Sequence, residues 1–169
     1  MDPILDKARA GQNVLEQIVN AIPGFSGYRE RERRRDADRL QREYLATRLD
    51  DCKRSLNDAA SAAARRGALD AINDIETARK RLDRVANRIR FADRGYSGFF
   101  DAVKIDESTL ARVYSFDLGL LEGVDAARTA AQASLAAADP RAAMGTLVAS
   151  LDALDASLAD REAMLAGVK

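Results

Sequence analysis

Apolar residues recur along most of this chain at alternating spacings of three and four, which places them on one side of an α-helix. Two runs show the pattern most clearly, one from Leu45 to Ala63 and one from Leu147 to Val168. In the second run Arg161 occupies a position of the apolar series, between Leu158 and Leu165. This spacing is typical of helices packed through a coiled-coil-like seam in a bundle.

Three further segments carry the same helical periodicity. Apolar residues mark one helix between Ile72 and Ile89 and another between Leu110 and Ala131. A shorter amphipathic helix opens the chain between Ile4 and Ile22, although Gly11 weakens its middle because glycine disfavours helix. No segment shows the alternation of apolar and polar residues that is expected of a strand.

Proline, glycine and acidic residues mark the predicted boundaries of these helices. Pro23 and Gly24 end the first helix, and Gly67 separates the second from the third. Residues 95–105 form the longest predicted loop, and the acidic residues that follow at 106 and 107 suit the start of the fourth helix. The fifth helix begins at Asp139, with proline at its first position.

These elements predict an all-α fold, an antiparallel up-and-down bundle of four long helices with a shorter N-terminal amphipathic helix. A chain of 169 residues suits one domain, so we expect residues 1–169 to form a single helical bundle. Residues 1–22 are a candidate semi-independent N-terminal helix. The second predicted helix is about ten residues longer than the third, a difference of about 15 Å, so we do not expect the ends of these two helices to be level.

Composition argues against several classes of partner and location. The chain has 27 cations, 27 carboxylates and no histidine, so no net field attracts it to nucleic acid, and we consider that partner unlikely. The lone Cys52 suits a reducing compartment, and the N-terminus has neither the apolar run of a signal peptide nor that of a membrane span. We therefore expect a cytoplasmic protein of bacterial composition.

Catalytic and metal-binding motifs are missing from the sequence. Without histidine the chain lacks histidine-dependent triads, Glu-x-x-His di-iron motifs and cysteine-histidine zinc sites. It also lacks the phosphate-binding GxxxxGK[ST] motif and the nucleophile-elbow GxSxG motif. We expect no enzyme activity, no cofactor and no metal.

Two five-residue segments are nearly identical, GFSGY at 24–28 and GYSGF at 95–99, and we call these repeats the aromatic words. In an up-and-down bundle both copies lie at the same pole, and all nine aromatic residues, between Phe25 and Phe116, fall toward it. The opposite pole is rich in alanine, at 59–65 and 126–139, so the bundle should taper. The rings are interpreted either as packed latches that close one end or as a binding site.

Two basic runs flank the repeated words. Residues 29–42 and 79–94 together carry fourteen cations and six carboxylates, a local excess of eight. The bland interpretation is a solvated helix surface with interleaved ion pairs. The alternative is a functional basic patch at the same pole as the aromatic words.

At IPGFSGYRERERRRDADRLQREY and RGYSGFFDAVKIDE the sequence resembles an uncharacterised family of bacterial all-helical proteins with aromatic-glycine loops. The resemblance covers roughly residues 20–125. It implies a helical fold and no particular activity or functional residue.

Two function classes remain open on these grounds. The first is a non-enzymatic interaction or scaffold protein that binds an acidic or amphipathic partner protein, or itself, at the aromatic and arginine-rich pole. The second is a peripheral protein that holds an anionic membrane surface through the N-terminal helix and adjacent arginines. The predicted partner-binding residues are Phe25, Tyr28, Arg31, Arg35, Arg84, Arg88, Tyr96, Phe99 and Phe100.

Overall fold

The computed structural model describes residues 3–92 and 97–167, and these residues contain helices and no strand. The prediction of an all-α fold is therefore confirmed for this part of the chain. The helices are α1 (Pro3–Ala21), α2 (Arg34–Arg65), α3 (Leu69–Arg90), α4 (Ser97–Asp101), α5 (Glu107–Ala133) and α6 (Pro140–Ala166), and a 3-10 turn (Arg31–Arg33) precedes α2.

Local capping chemistry sets several boundaries where the sequence predicts them. Gly67, between α2 and α3, has a φ of 69°, a conformation that glycine adopts without steric cost. Asp106 accepts a hydrogen bond from the backbone N–H of Thr109 at 2.8 Å, and Asp139 accepts one from the N–H of Arg141 at 3.0 Å. Both aspartates thus cap the helices that follow them.

One local feature differs from the sequence-based expectation. The predicted loop at 95–105 contains the short helix α4. Helix α2 begins at Arg34, so Arg29 lies before the helix and Arg31 lies in the 3-10 turn. Helix α1 runs through Gly11, where a Cβ atom would lie 3.6 Å from the Cβ of Ala111 in α5. The ten-residue difference between α2 (32 residues) and α3 (22 residues) is as predicted.

The long helices bury their apolar seams against one another. Helix α2 packs on α3 and α5, and α6 packs on the same two helices, while α1 lies on α5 and α4 lies on α6. A central core joins buried leucines of the four long helices, such as Leu49, Leu82, Leu121 and Leu154. A second core surrounds the aromatic words and includes residues of α1 and α5.

Small residues occupy the end of the molecule that lies away from the aromatic words, here called the alanine end. Ala59 and Ala63 of α2 and Ala131 of α5 are buried there. A cavity of about 30 Å³ lies between α2, the α5–α6 connection and the start of α6, lined in part by Ala62 and Met144.

Candidate functional site

The two repeated words meet through their rings. The Tyr28 ring lies 5.5 Å from Phe25 and 5.9 Å from Phe99, both edge to face, and it stacks on Tyr114 at 5.6 Å. Phe99 contacts Phe100 edge to face at 5.4 Å. These five rings are at most 4% exposed, and we call them the aromatic pole. Edge-to-face and offset contacts of this kind stabilise a core beyond the area that they bury.

Glycine brings the first word close to α5. Gly27 has a φ of 84°, and a Cβ atom at this position would lie 2.6 Å from the Tyr114 hydroxyl oxygen. That hydroxyl oxygen accepts a hydrogen bond from the backbone N–H of Tyr28 at 2.9 Å. A side chain at position 27 would therefore displace the group that anchors the next residue.

A buried arginine joins the two loops directly. The Arg34 guanidinium donates from Nε to the Tyr28 carbonyl at 2.8 Å and from Nη1 to the Ala102 carbonyl at 2.6 Å. The Arg34 residue is 3% exposed, and burial lowers the pKa of its guanidinium. Arg34 belongs to the predicted basic run, but its role here is to satisfy loop carbonyls rather than to face solvent.

Beneath the rings lies a buried charge network centred on Arg161 of α6, which is 1% exposed. Its Nε donates to Asp117 Oδ1 at 2.6 Å and its Nη2 donates to Asp38 Oδ1 at 2.9 Å. Burial alone would lower the pKa of Arg161, but Asp117, Tyr28 and Asp38 raise it more, so the pKa lies well above its usual value. The guanidinium stays charged and joins α2, α5 and α6.

Three further side chains, Tyr28, Gln41 and Arg42, complete the network around Arg161. The Tyr28 hydroxyl lies 2.7 Å from both Asp117 Oδ2 and Gln41 Oε1, and burial together with Asp117 raises its pKa well above the usual value. Arg42 donates from Nε to Asp38 Oδ2 at 2.7 Å and from Nη1 to the Arg90 carbonyl at 2.6 Å. Two arginines thus face two aspartates, and the network has no net charge.

Arg161 occupies a position of the apolar seam of α6 in the sequence. A charged residue at such a position requires buried counter-charges, and that signal was present. The same signal marks its partners, since Asp117 stands in the apolar series of α5 between Val113 and Leu121, and Asp38 continues the series of α2 seven residues before Leu45.

The structure places the aromatic part of the predicted site inside the protein. Phe25, Tyr28, Phe99 and Phe100 are 0–4% exposed, so these rings offer no surface to a partner in this conformation. Their contacts correspond to the packed-latch interpretation. Tyr96 lies outside the described residues.

The predicted arginines differ from one another in environment. Arg31 is exposed, and Arg35 binds Asp101 at 2.9 Å with its guanidinium 5.8 Å from the Phe100 ring centre. Arg84 is exposed on α3. Arg88 is half-buried and binds Asp155 and Glu162 of α6, each at 2.7 Å. The pKa of Arg88 is raised by these two carboxylates in spite of its burial, so Arg88 is a cross-link between helices.

One exposed face of α3 combines cations with an apolar ring. Thr77, Lys80, Arg84, Asn87 and Phe91 are all exposed, and we call them the α3 stripe. Their spacings of three and four place them on one side of the helix. Phe91, just past the last helical residue, is 66% exposed. The stripe contains no carboxylate, and within the described residues neither Lys80 nor Arg84 has an ion-pair partner.

The cations that flank the α3 stripe form ion pairs within the chain. Arg79 binds Glu76 of α3, Arg90 binds Asp50 of α2, and Arg81 binds Asp152 of α6 at 2.8 Å. These contacts neutralise the flanks, and among the described cations of the second basic run they leave Lys80 and Arg84 without an ion-pair partner.

Helices α1 and α6 bear on the membrane alternative. Ile18 of α1 and Ile22, just past the end of that helix, are 0% exposed and belong to the core around the aromatic pole. By length and composition α6 meets the requirement for a membrane span, with a mean hydropathy of 1.2 in its most apolar window. Its leucines, from Leu147 to Leu158, are at most 2% exposed, and a helix that lines a protein core meets the same requirement. Membrane binding stays a prediction.

Reactive and metal-binding groups are sparse among residues 3–92 and 97–167. No group of three or more potential metal ligands comes together there. Cys52 is buried, and burial raises the pKa of its thiol to about 11, which disfavours the reactive thiolate. The absence of catalytic activity nevertheless stays a prediction.

No protein-family model, no curated protein and no solved structure matches this chain.

Proposed function

We propose that this protein is a non-enzymatic interaction protein that docks an acidic helical segment of a partner along the α3 stripe. The observation that carries the proposal is the alignment of Lys80, Arg84 and Phe91 on one exposed helix face without a carboxylate. Arginine and aromatic side chains are favoured at protein interfaces, and complementary charge gives such an interface specificity.

The spacing of the stripe favours a helical partner. Lys80 and Arg84 are four residues apart, about 6 Å along α3, which matches carboxylates four residues apart on a second helix. Phe91 lies about 10 Å beyond Arg84 and provides an apolar anchor at one end. The stripe as a whole is about 21 Å long, so a partner helix of about 18 residues would cover it.

We also infer that the four long helices form an up-and-down bundle in which α2–α3 and α5–α6 are antiparallel hairpins. Ion pairs between α2 and α3 support this, since Asp50 binds Arg90 whereas Lys53 binds Asp83. The pair between Arg48 of α2 and Asp125 of α5 supports the two hairpins lying side by side. The aromatic pole and its charge network then hold the hairpins together, and α3 presents its outer face to the partner.

The proposed docking is tested with a synthetic helical peptide that carries glutamates four residues apart beside leucines. Its affinity for the full chain is measured by fluorescence anisotropy at about 50 and 200 mM salt. The variant Lys80→Glu/Arg84→Glu should bind at least about tenfold more weakly, because it replaces two attractive contacts with repulsive ones.

A matched control removes the effect of total charge. Arg54→Glu/Arg65→Glu makes the same charge change at exposed positions of α2 and should alter the affinity by no more than about twofold. Equal losses in the two variants, or an affinity insensitive to both, would contradict docking on the α3 stripe.

A further inference from the structure

The outer face of α6 has the opposite character to the α3 stripe. Ala149, Asp152, Ala156, Asp160 and Ala163 are all exposed, and we call them the α6 stripe. They lie opposite the buried leucines of the same helix, since their spacings of three and four follow one side of it. The stripe has small side chains, two carboxylates and no cation, so another helix could approach it closely.

Helices α3 and α6 are neighbours, and ion pairs fix their relative heights. Arg81 binds Asp152, and Arg88 binds Asp155 and Glu162. The residue numbers in these pairs rise together and differ by 67 to 74, so the two helices run in the same direction. The α3 and α6 stripes therefore lie side by side at matching heights on one surface of the protein.

We propose that the acidic helix that docks on the α3 stripe is α6 of a second copy of this chain. A twofold axis parallel to the helices places each α3 stripe against the α6 stripe of the other copy, so the contact is made twice. This inference rests on the proposed function, whose partner it identifies.

The heights of the two helices fix the register of this dimer. Lys80 lies level with Asp152 of the second copy within about one residue, or about 1.5 Å along the axis. Arg84 lies between the levels of Asp152 and Asp160 of the second copy, within reach of a long side chain. Phe91 lies level with Ala163 of the second copy within about two residues, where a small side chain leaves room for the ring.

Charge complementarity extends beyond the stripes. Residues 1–94 carry 21 cations and 16 carboxylates, whereas residues 95–169 carry 6 and 11, so the two parts have net charges of +5 and −5. The twofold arrangement brings α3 of the basic part against α6 of the acidic part in both copies. An arrangement that paired α3 with α3, or α6 with α6, would bring like charges together.

Reciprocal charge exchange tests the dimer. Lys80→Glu/Arg84→Glu makes the α3 stripe acidic, and Asp152→Lys/Asp160→Lys makes the α6 stripe basic. Each variant alone opposes like charges in both contacts, but a heterodimer of the two restores opposite charges in both. Sedimentation velocity should show wild type at twice 18.4 kDa, each variant at 18.4 kDa, and the equimolar mixture again at twice that mass.

Folding is checked separately, because Asp152 also binds Arg81 within the chain. Each variant should keep the helical circular dichroism spectrum of wild type, and Asp160→Lys alone, which leaves that ion pair intact, should weaken the dimer by about tenfold. A monomeric wild type, a dimer that both charge variants retain, or folded variants that do not associate when mixed would overturn the inference.

The acidic peptide distinguishes this inference from the proposed function. The Asp152→Lys/Asp160→Lys monomer has a free α3 stripe and should bind the peptide. If wild type is monomeric and binds the peptide through Lys80 and Arg84, only the identity of the partner is wrong. If the monomer does not bind the peptide either, both proposals fail.

Discussion

At the aromatic pole, large rings lie over a charge network whose central arginine, Arg161, is 1% exposed, whereas at the alanine end small side chains surround a cavity of about 30 Å³. The first region is specified by directional contacts, since Arg161, Asp38 and Asp117 each require a particular partner. The second is specified mainly by volume. We therefore expect the molecule to tolerate change very unequally at its two ends.

The largest effect is expected from Arg161→Met, which leaves Asp117 and part of Asp38 buried without their shared cation. The free energy of unfolding should fall by about 3–5 kcal/mol, measured by urea denaturation. The control Arg33→Met removes an arginine whose pair with Glu30 is 66% and 69% exposed, and it should change stability by no more than about 0.5 kcal/mol. Similar losses in both variants would contradict the special role of the network.

A slightly smaller loss is expected from Phe99→Ala, because the ring is 0% exposed and its removal leaves a cavity among rings that can shift to fill it. Stability should fall by about 3–4 kcal/mol in the same assay. In the monomeric Asp152→Lys/Asp160→Lys variant, the same substitution at the exposed Phe91 should cost no more than about 0.5 kcal/mol. If Phe91→Ala proves as costly as Phe99→Ala, Phe91 is not the free ring that the α3 stripe requires.

Replacing glycine by alanine should change stability in opposite directions at two positions. Gly27→Ala places a Cβ 2.6 Å from the Tyr114 hydroxyl in a backbone with positive φ, and it should cost about 1–3 kcal/mol in thermal unfolding. Gly119→Ala lies within α5 with no atom near its Cβ, so it should raise stability by about 0.5–1 kcal/mol. A gain at Gly27 would mean that the first word is held loosely.

The smallest effect is expected at the alanine end. Ala62 lines the cavity, so in Ala62→Val new contacts should offset the lower helix propensity, with a net change below about 0.5 kcal/mol. Ala131→Val at a position with no exposure should instead cost about 1–3 kcal/mol through overpacking. Equal tolerance at both positions would show that volume does not specify this end.

Local chemistry made the long helices predictable from sequence. Gly67 ends α2 through its own backbone conformation, and Asp139 caps α6 through its own side chain, so neighbouring residues suffice to locate both boundaries. Helix α4 has five residues, too few to show a helical period, and was predicted as loop.

The pairings within the charge network were not predictable, although helical periodicity marks the buried positions. Arg34 and Arg42 are buried, whereas Arg35 and Arg39, in the same run, are exposed. Extended backward from Leu45 at spacings of three and four, the apolar series of α2 passes through Arg42 and Arg34 and misses Arg35 and Arg39. Arg161 and Asp38 are 123 residues apart, so their contact follows from the tertiary arrangement alone.

The placement of Tyr28 bears on how the chain folds as it is synthesised. Its ring and hydroxyl contact Phe99, Tyr114, Asp117 and Arg161, all of which leave the ribosome after α3 is complete. The first word lacks the rings that cover it until α4 and α5 emerge, and Asp38 lacks Arg161 until α6 emerges. The nascent α2–α3 hairpin therefore cannot complete the packing around Tyr28 by itself. Translation of α6 completes the folding of the N-terminal half.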